Sequence, residues 1–137
     1  MRGEEEPGRA AGEYEAILKR EFAREDHFPQ LDFVLLGLGP DGHTASLFPG
    51  TRALEETRRW VSANHVPKLG EWRLTLTLPV LNAARRAVFF VVGEGKRDAV
   101  AAVLRAKEEA PTLPASLVRP TDGSLVWIVD EAAAAGL

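Results

Sequence analysis

Apolar positions along this chain fall into helical, continuous and alternating runs, and each predicts a different element. Tyr14, Ile17, Leu18 and Phe22 recur at helical spacing and predict a helix from Ala10 to about Arg24. Residues 1–9 before it are polar, contain Pro7 and Gly8, and read as a loop. Phe33 to Leu36 and Ala87 to Val92 are continuous apolar runs too short for helices. Such runs predict strands buried on both faces of a parallel sheet. Trp72 to Leu78 alternates, with Trp72, Leu74, Leu76 and Leu78 on one face and Arg73, Thr75 and Thr77 on the other. That is the pattern of a half-buried strand, ended by Pro79. Leu125 to Val129 predicts a last strand. Shorter signals fill the intervals. These are a short helix over Thr51–Thr57, a strand over Trp60–Ala63, a loop holding His65, Pro67, Lys68 and Gly70, and helical turns over Val80–Ala84. A helix is expected from about Lys96 to Lys107, another over Ala115–Val118, and an alanine-rich one at the end, with Pro111 and Pro114 breaking the chain between. Strands alternating with helices predict an α/β fold, a Rossmann-like layered domain around a mainly parallel sheet, with residues 1–137 as a single domain. Trp60, Trp72 and Trp127 all fall in expected strands and are assigned to the core.

Composition narrows the partners more than the fold. At 137 residues with 45% hydrophobic content the chain is long enough to bury a core. The net charge of −3 is localised, because residues 1–26 carry five basic and eight acidic side chains while the rest carries twelve of each. No basic stripe points to nucleic acid. No apolar run approaches the ~20 residues of a membrane span, and MRGEEEPGRA lacks a signal-peptide core. A cytoplasmic location is the default expectation. The chain has no cysteine, which excludes disulfides and thiol chemistry. Its three histidines, His27, His43 and His65, lack a recognised zinc spacing, so no metal and no cofactor are expected.

The stretch LDFVLLGLGPDGHTASLFPG, residues 31–50, concentrates the chemistry. An apolar strand breaks into Gly37, Gly39, Pro40, Asp41 and Gly42 and delivers His43 to the expected start of a short helix. Open α/β sheets bind ligands beyond the carboxyl ends of their strands, and a histidine there is suited to moving protons near neutral pH. A helix N-terminus would disfavour imidazolium and keep the ring a neutral base. Asp41 would pull the other way by accepting a hydrogen bond from the ring. Gly37 to Gly42 also fits G-x-G-x-x-G, but Phe48-Pro49-Gly50 stops any following helix after about two turns. The nearest acids, Glu55 and Glu56, do not end a strand, so nicotinamide or flavin binding is set aside.

GLGPDGHTASLFPG resembles the signature of the 6-phosphogluconolactonases and, more distantly, its Asp-Gly-His core resembles the glucosamine-6-phosphate deaminases of the same fold. WRLTLTLPVLNAAR and the later GEGK follow in the family's order. The resemblance implies hydrolysis of 6-phospho-D-glucono-1,5-lactone to 6-phosphogluconate in the pentose phosphate pathway. His43 would be the general base activating water, and Asp41 would orient or support its ring. The substrate would lie against Arg73, Lys96, Gly39 and Gly42. Ser46 is a weaker nucleophile candidate, because no G-x-S-x-G elbow surrounds it. Lys96 opens a helix after a buried strand, where a cation makes sense if a phosphate sits between it and free backbone N–H groups. Arg73, on the polar face of its strand, suits a bidentate anion clamp.

The resemblance covers only the later, C-terminal part of the family pattern. A sheet lacking the strands of the first half is expected to show a bare edge and uncovered faces, a route to self-association. Two alternatives therefore stand beside a lactonase. One is a non-catalytic fragment that needs the missing N-terminal half, and the other is a related phosphosugar deaminase or isomerase. The continuation Thr44-Ala45-Ser46-Leu47-Phe48-Pro49 favours the lactonase.

Overall fold

The computed structural model describes residues 2–23, 27–105 and 113–137. The first helix, α1 (Pro7–Phe22), starts before the expected Ala10 because Glu6 caps it. The Glu6 carboxylate accepts from the N–H groups of Gly8 at 2.9 Å and Arg9 at 2.7 Å, and Pro7 brings a pre-set φ to the first turn. The helix ends at Ala23 in the left-handed conformation. Its expected last residue, Arg24, lies outside the described residues.

Three strands form a parallel sheet: β1 (Val34–Leu36), β4 (Arg86–Val91) and β5 (Ser124–Val129), in the order β1-β4-β5. Leu35 is in register with Val88, and Val88 with Val126. The other two strands, β2 (Val61–Val66) and β3 (Glu71–Leu76), form a separate antiparallel hairpin. β2 runs further than the expected Trp60–Ala63, so that His65 lies in a strand rather than a loop. Short helices α2 (Leu78–Asn82), α3 (Arg97–Leu104) and α4 (Glu131–Ala134) follow β3, β4 and β5. The expected helices at 51–57 and 115–118 are single 3-10 turns, Arg52–Leu54 and Pro114–Leu117. The remainder of the expected helix to Lys107, and Pro111, lie outside the described residues.

One core forms where Leu36, Phe89 and Val91 of the sheet meet Val100 and Val103 of α3, Ala133 of α4, and Leu38 and Leu47 of the signature stretch. Phe89 and Trp127 stack there at 4.0 Å. A second core joins α1 to the hairpin through Ala11, Trp60, Val61 and Val80, flanked by Tyr14, Leu18 and Phe22.

The sheet does not follow the expectation of strands buried on both faces. Its outer face carries Leu35 at 62% exposure, Phe90 at 52% and Ile128 at 49%, with Phe33, Val92 and Val126 also exposed. The cause is one-sided cover: the described core lies against Leu36, Phe89, Val91 and Trp127, and successive strand residues point to opposite faces. Trp72 is likewise exposed, at 53%, against the core position expected of it. On β3 and the residue after it, the polar side is the more deeply buried, because Thr75 and Thr77 are enclosed while Leu74 and Leu76 are partly buried against α1. No helix among the described residues is long and apolar enough to cross a membrane.

Candidate active site

β1 runs into a loop, residues 37–43, that is tied at both ends. The Thr44 hydroxyl donates to the Gly37 carbonyl at 2.8 Å, and Gly39 N–H donates to the His43 carbonyl at 2.8 Å. Gly42 N–H donates back to Gly39 at 3.0 Å, and Ala115 N–H donates to Gly42 at 3.0 Å. Two glycines are sterically required. A Cβ on Gly39 would lie 2.0 Å from Nδ1 of His43, and one on Gly42 (φ +77°) would lie 2.9 Å from Leu113. The His43 ring therefore lies directly over Gly39, in space that only a residue without a side chain leaves open.

No helix follows His43. Residues 44–47 form a tight turn closed by a bond from Leu47 N–H to Thr44 O at 2.9 Å, with Ala45 at φ 49°. The expected helix-dipole influence on the ring is thus lost, since a dipole needs aligned peptide units. The hairpin holds this turn instead. Ser46 N–H donates to the Thr75 hydroxyl at 3.2 Å, and the Asn64 amide donates to Ser46 O at 2.8 Å and to the Thr51 hydroxyl at 2.9 Å. The buried Thr75 and Asn64 are therefore the means by which β2 and β3 position the signature stretch.

The structure brings Asp41 and His43 together. Asp41 Oδ1 lies 2.5 Å from Nδ1 of the ring and accepts from the His43 N–H at 3.3 Å. With an ionised carboxylate, Nδ1 carries the proton and Nε2 is the basic nitrogen; Nε2 has no hydrogen-bond partner among the described residues. Phe48 stacks on the ring at 4.0 Å and limits its rotation. Asp41 Oδ2 accepts from the Lys68 ammonium at 3.0 Å. Burial pushes the Asp41 carboxyl up, but hydrogen bonds from the His43 ring, Lys68 and the His43 N–H outweigh it and hold the group down at about 2.

Lys96 adjoins the same loop. It is the last residue of the 3-10 turn Glu94–Lys96 and the N-cap of α3, and its ammonium donates to the Leu38 carbonyl at 2.8 Å. Arg73 is not joined to the group. Its guanidinium pairs with Glu71 and lines a hollow of about 210 Å³ with Gly3, Pro7, Trp72 and Leu74. A larger hollow of about 470 Å³, lined among others by Thr51, Arg52, Asn64, His65 and Trp72, also excludes His43 and Asp41 from its walls. Sequence reasoning missed Lys68, which it placed only in a loop. The contact with Asp41 spans 27 residues, and no local pattern encodes it. Among the described residues no three His, Asp or Glu side chains gather as a metal site.

Comparison with known proteins identifies the family and the fold. The profile of the family described as Glucosamine-6-phosphate isomerases/6-phosphogluconolactonase matches residues 1–127. A 6-phosphogluconolactonase of Bos taurus is 48% identical over 126 residues, covering 91% of this chain and 48% of the relative. Among solved structures, the devB protein superposes with a TM-score of 0.89 at 34% identity, over 98% of this chain and 56% of that one. The 6-phosphogluconolactonase from Leishmania guyanensis superposes with a TM-score of 0.82 at 30% identity, over 96% and 53%. The chain spans about half the length of the curated relatives it matches. The chain belongs to the family described as Glucosamine-6-phosphate isomerases/6-phosphogluconolactonase.

Proposed function

We propose that this chain carries the general-base half of a 6-phosphogluconolactonase active site. The observation behind the reading is the Asp41–His43 pair, with Nε2 left as the basic nitrogen on a rigid loop beyond a parallel strand. Nε2 takes a proton from water as the water oxygen attacks the lactone carbonyl carbon. Asp41, already ionised, supports the imidazolium that forms. The ester C–O bond of the ring then breaks, the imidazolium returns its proton to the departing ring oxygen, and 6-phosphogluconate results. Gly39 makes room for the His43 ring and Gly42 for Leu113, and Lys96 is the nearer candidate for the phosphate. Arg73 would have to leave Glu71 to join it. The chemistry asked of these residues is proton transfer and charge support.

Hydrolysis of fresh 6-phosphogluconolactone by the wild-type chain, His43→Ala and a protein-free blank tests the proposal. A rate above blank that falls by roughly 10²–10⁴ in the variant supports it, as expected for loss of a general base. Activity retained by His43→Ala overturns the assignment. Turnover of glucosamine 6-phosphate with none of the lactone would move the reading to a deaminase or isomerase.

The bare outer face of the sheet favours a second reading, in which the chain does not act alone. Leu35, Phe90, Val126 and Ile128 form a contiguous exposed apolar surface, of the kind that in soluble proteins marks an interaction site. Association through this face, with activity only in the associated form, would make the chain one part of an assembly.

A further inference from the structure

Lys68 has no part in the reaction as derived above, yet its ammonium holds the oxygen of Asp41 that His43 does not use. It projects from the turn Pro67–Gly70 between β2 and β3, which is closed by bonds from Leu69 N–H to Val66 O at 3.0 Å and Gly70 N–H to Pro67 O at 3.1 Å. Gly70 there adopts φ +65°. The hairpin behind the turn is the same one that pins Ser46 through Thr75 and Asn64. One rigid element thus grips the signature stretch on both sides of His43.

We propose that Lys68 is a positioning residue that clamps the Asp41 carboxylate against the His43 ring. The inference rests on the reading of His43 as the general base. A carboxylate bonded through one oxygen can swing about its Cβ–Cγ bond and lose its line to Nδ1. With Oδ2 taken by Lys68, that rotation breaks an ion pair. The charged groups that meet this loop among the described residues are Asp41 within it, Lys68 from the hairpin turn, and Lys96 from the start of α3. Phe48, against the ring face, is neutral.

The test follows the Nδ1–H proton of the His43 ring by NMR in wild type, Lys68→Met and Lys68→Arg, with the signal assigned against His27 and His65 by His43→Gln. Lys68 is exposed over 64% of its side chain, so the substitutions leave the core untouched. In Lys68→Met the bond from Nδ1–H to Asp41 is expected to loosen, moving the signal upfield and speeding its exchange with water, and Lys68→Arg is expected to restore it. In active protein kcat falls with KM little changed, and Lys68→Arg recovers it. An Nδ1–H signal unchanged in folded Lys68→Met overturns the inference, even if His43-dependent hydrolysis persists. A changed signal in a protein that never exceeds the blank supports the clamp and sinks the lactonase reading instead.

Discussion

Gly39 decides whether His43 can occupy its place at all. A methyl group there would overlap the imidazole at 2.0 Å, so Gly39→Ala is expected to displace the ring. Hydrolysis should fall roughly a hundredfold or more while the circular dichroism spectrum is kept. At Asp41 the charge matters as much as the shape. An amide in place of the carboxylate could donate to Nδ1 and so select the tautomer whose Nε2 carries the proton, leaving no basic nitrogen for water. On the proposed reading, Asp41→Asn should therefore lose roughly a hundredfold or more in kcat while the protein stays folded. The depressed Asp41 pKa, about 2 against an ordinary 3.8, also makes a stability statement. A carboxyl more acidic folded than unfolded stabilises the fold above about pH 4, and that contribution is lost as the pH falls toward 2. Allowing for the exposed Lys68, it amounts to on the order of 1 kcal/mol, readable as the difference between wild type and Asp41→Asn in urea titrations at about pH 6 and about pH 3.

At the scale of elements, α1 is fastened to the hairpin by one buried acid. Glu15, 8% exposed, accepts from the N–H groups of Trp60 at 3.0 Å and Val61 at 3.2 Å and pairs with Lys19 at 2.9 Å. Burial pushes its pKa up, but the Lys19 bond and the two backbone N–H bonds bring it below the usual value. Glu15→Ala leaves two enclosed N–H groups without acceptors and should cost about 2–4 kcal/mol in chemical denaturation. Elements differed from expectation where a polar group sought a buried partner. Thr77 is fully buried because its hydroxyl donates to Arg59 O at 2.6 Å, which alternation along β3 does not reveal. The helix expected after His43 is absent because residues 44–47 close on themselves and are bonded to Thr75 and Asn64 across the chain.

Among the described residues, one face of the parallel sheet is packed and the other is bare. Substituting Leu35 and Phe90 together by Lys replaces two exposed apolar side chains without opening a cavity. The expected outcome is less association in sedimentation velocity with a change in stability of no more than about 1 kcal/mol. Undiminished association would place the contact elsewhere, such as the open edges of β1 and β5.

The strands β1, β4 and β5, the helix α1 and the pairing of Asp41 with His43 were legible in the sequence. Their signals are local: apolar runs, a helical period, and two residues separated by one glycine. The signature stretch also carried the family. Tertiary structure alone decided that β2 and β3 leave the parallel sheet, that the Phe33–Leu36 strand is covered on one face, and that Arg73 turns to Glu71. It also decided that Lys68 meets Asp41. Each of these depends on which distant group arrives to fill a hydrogen bond or cover an apolar surface. Periodicity records the demand for such a partner and is silent on its identity.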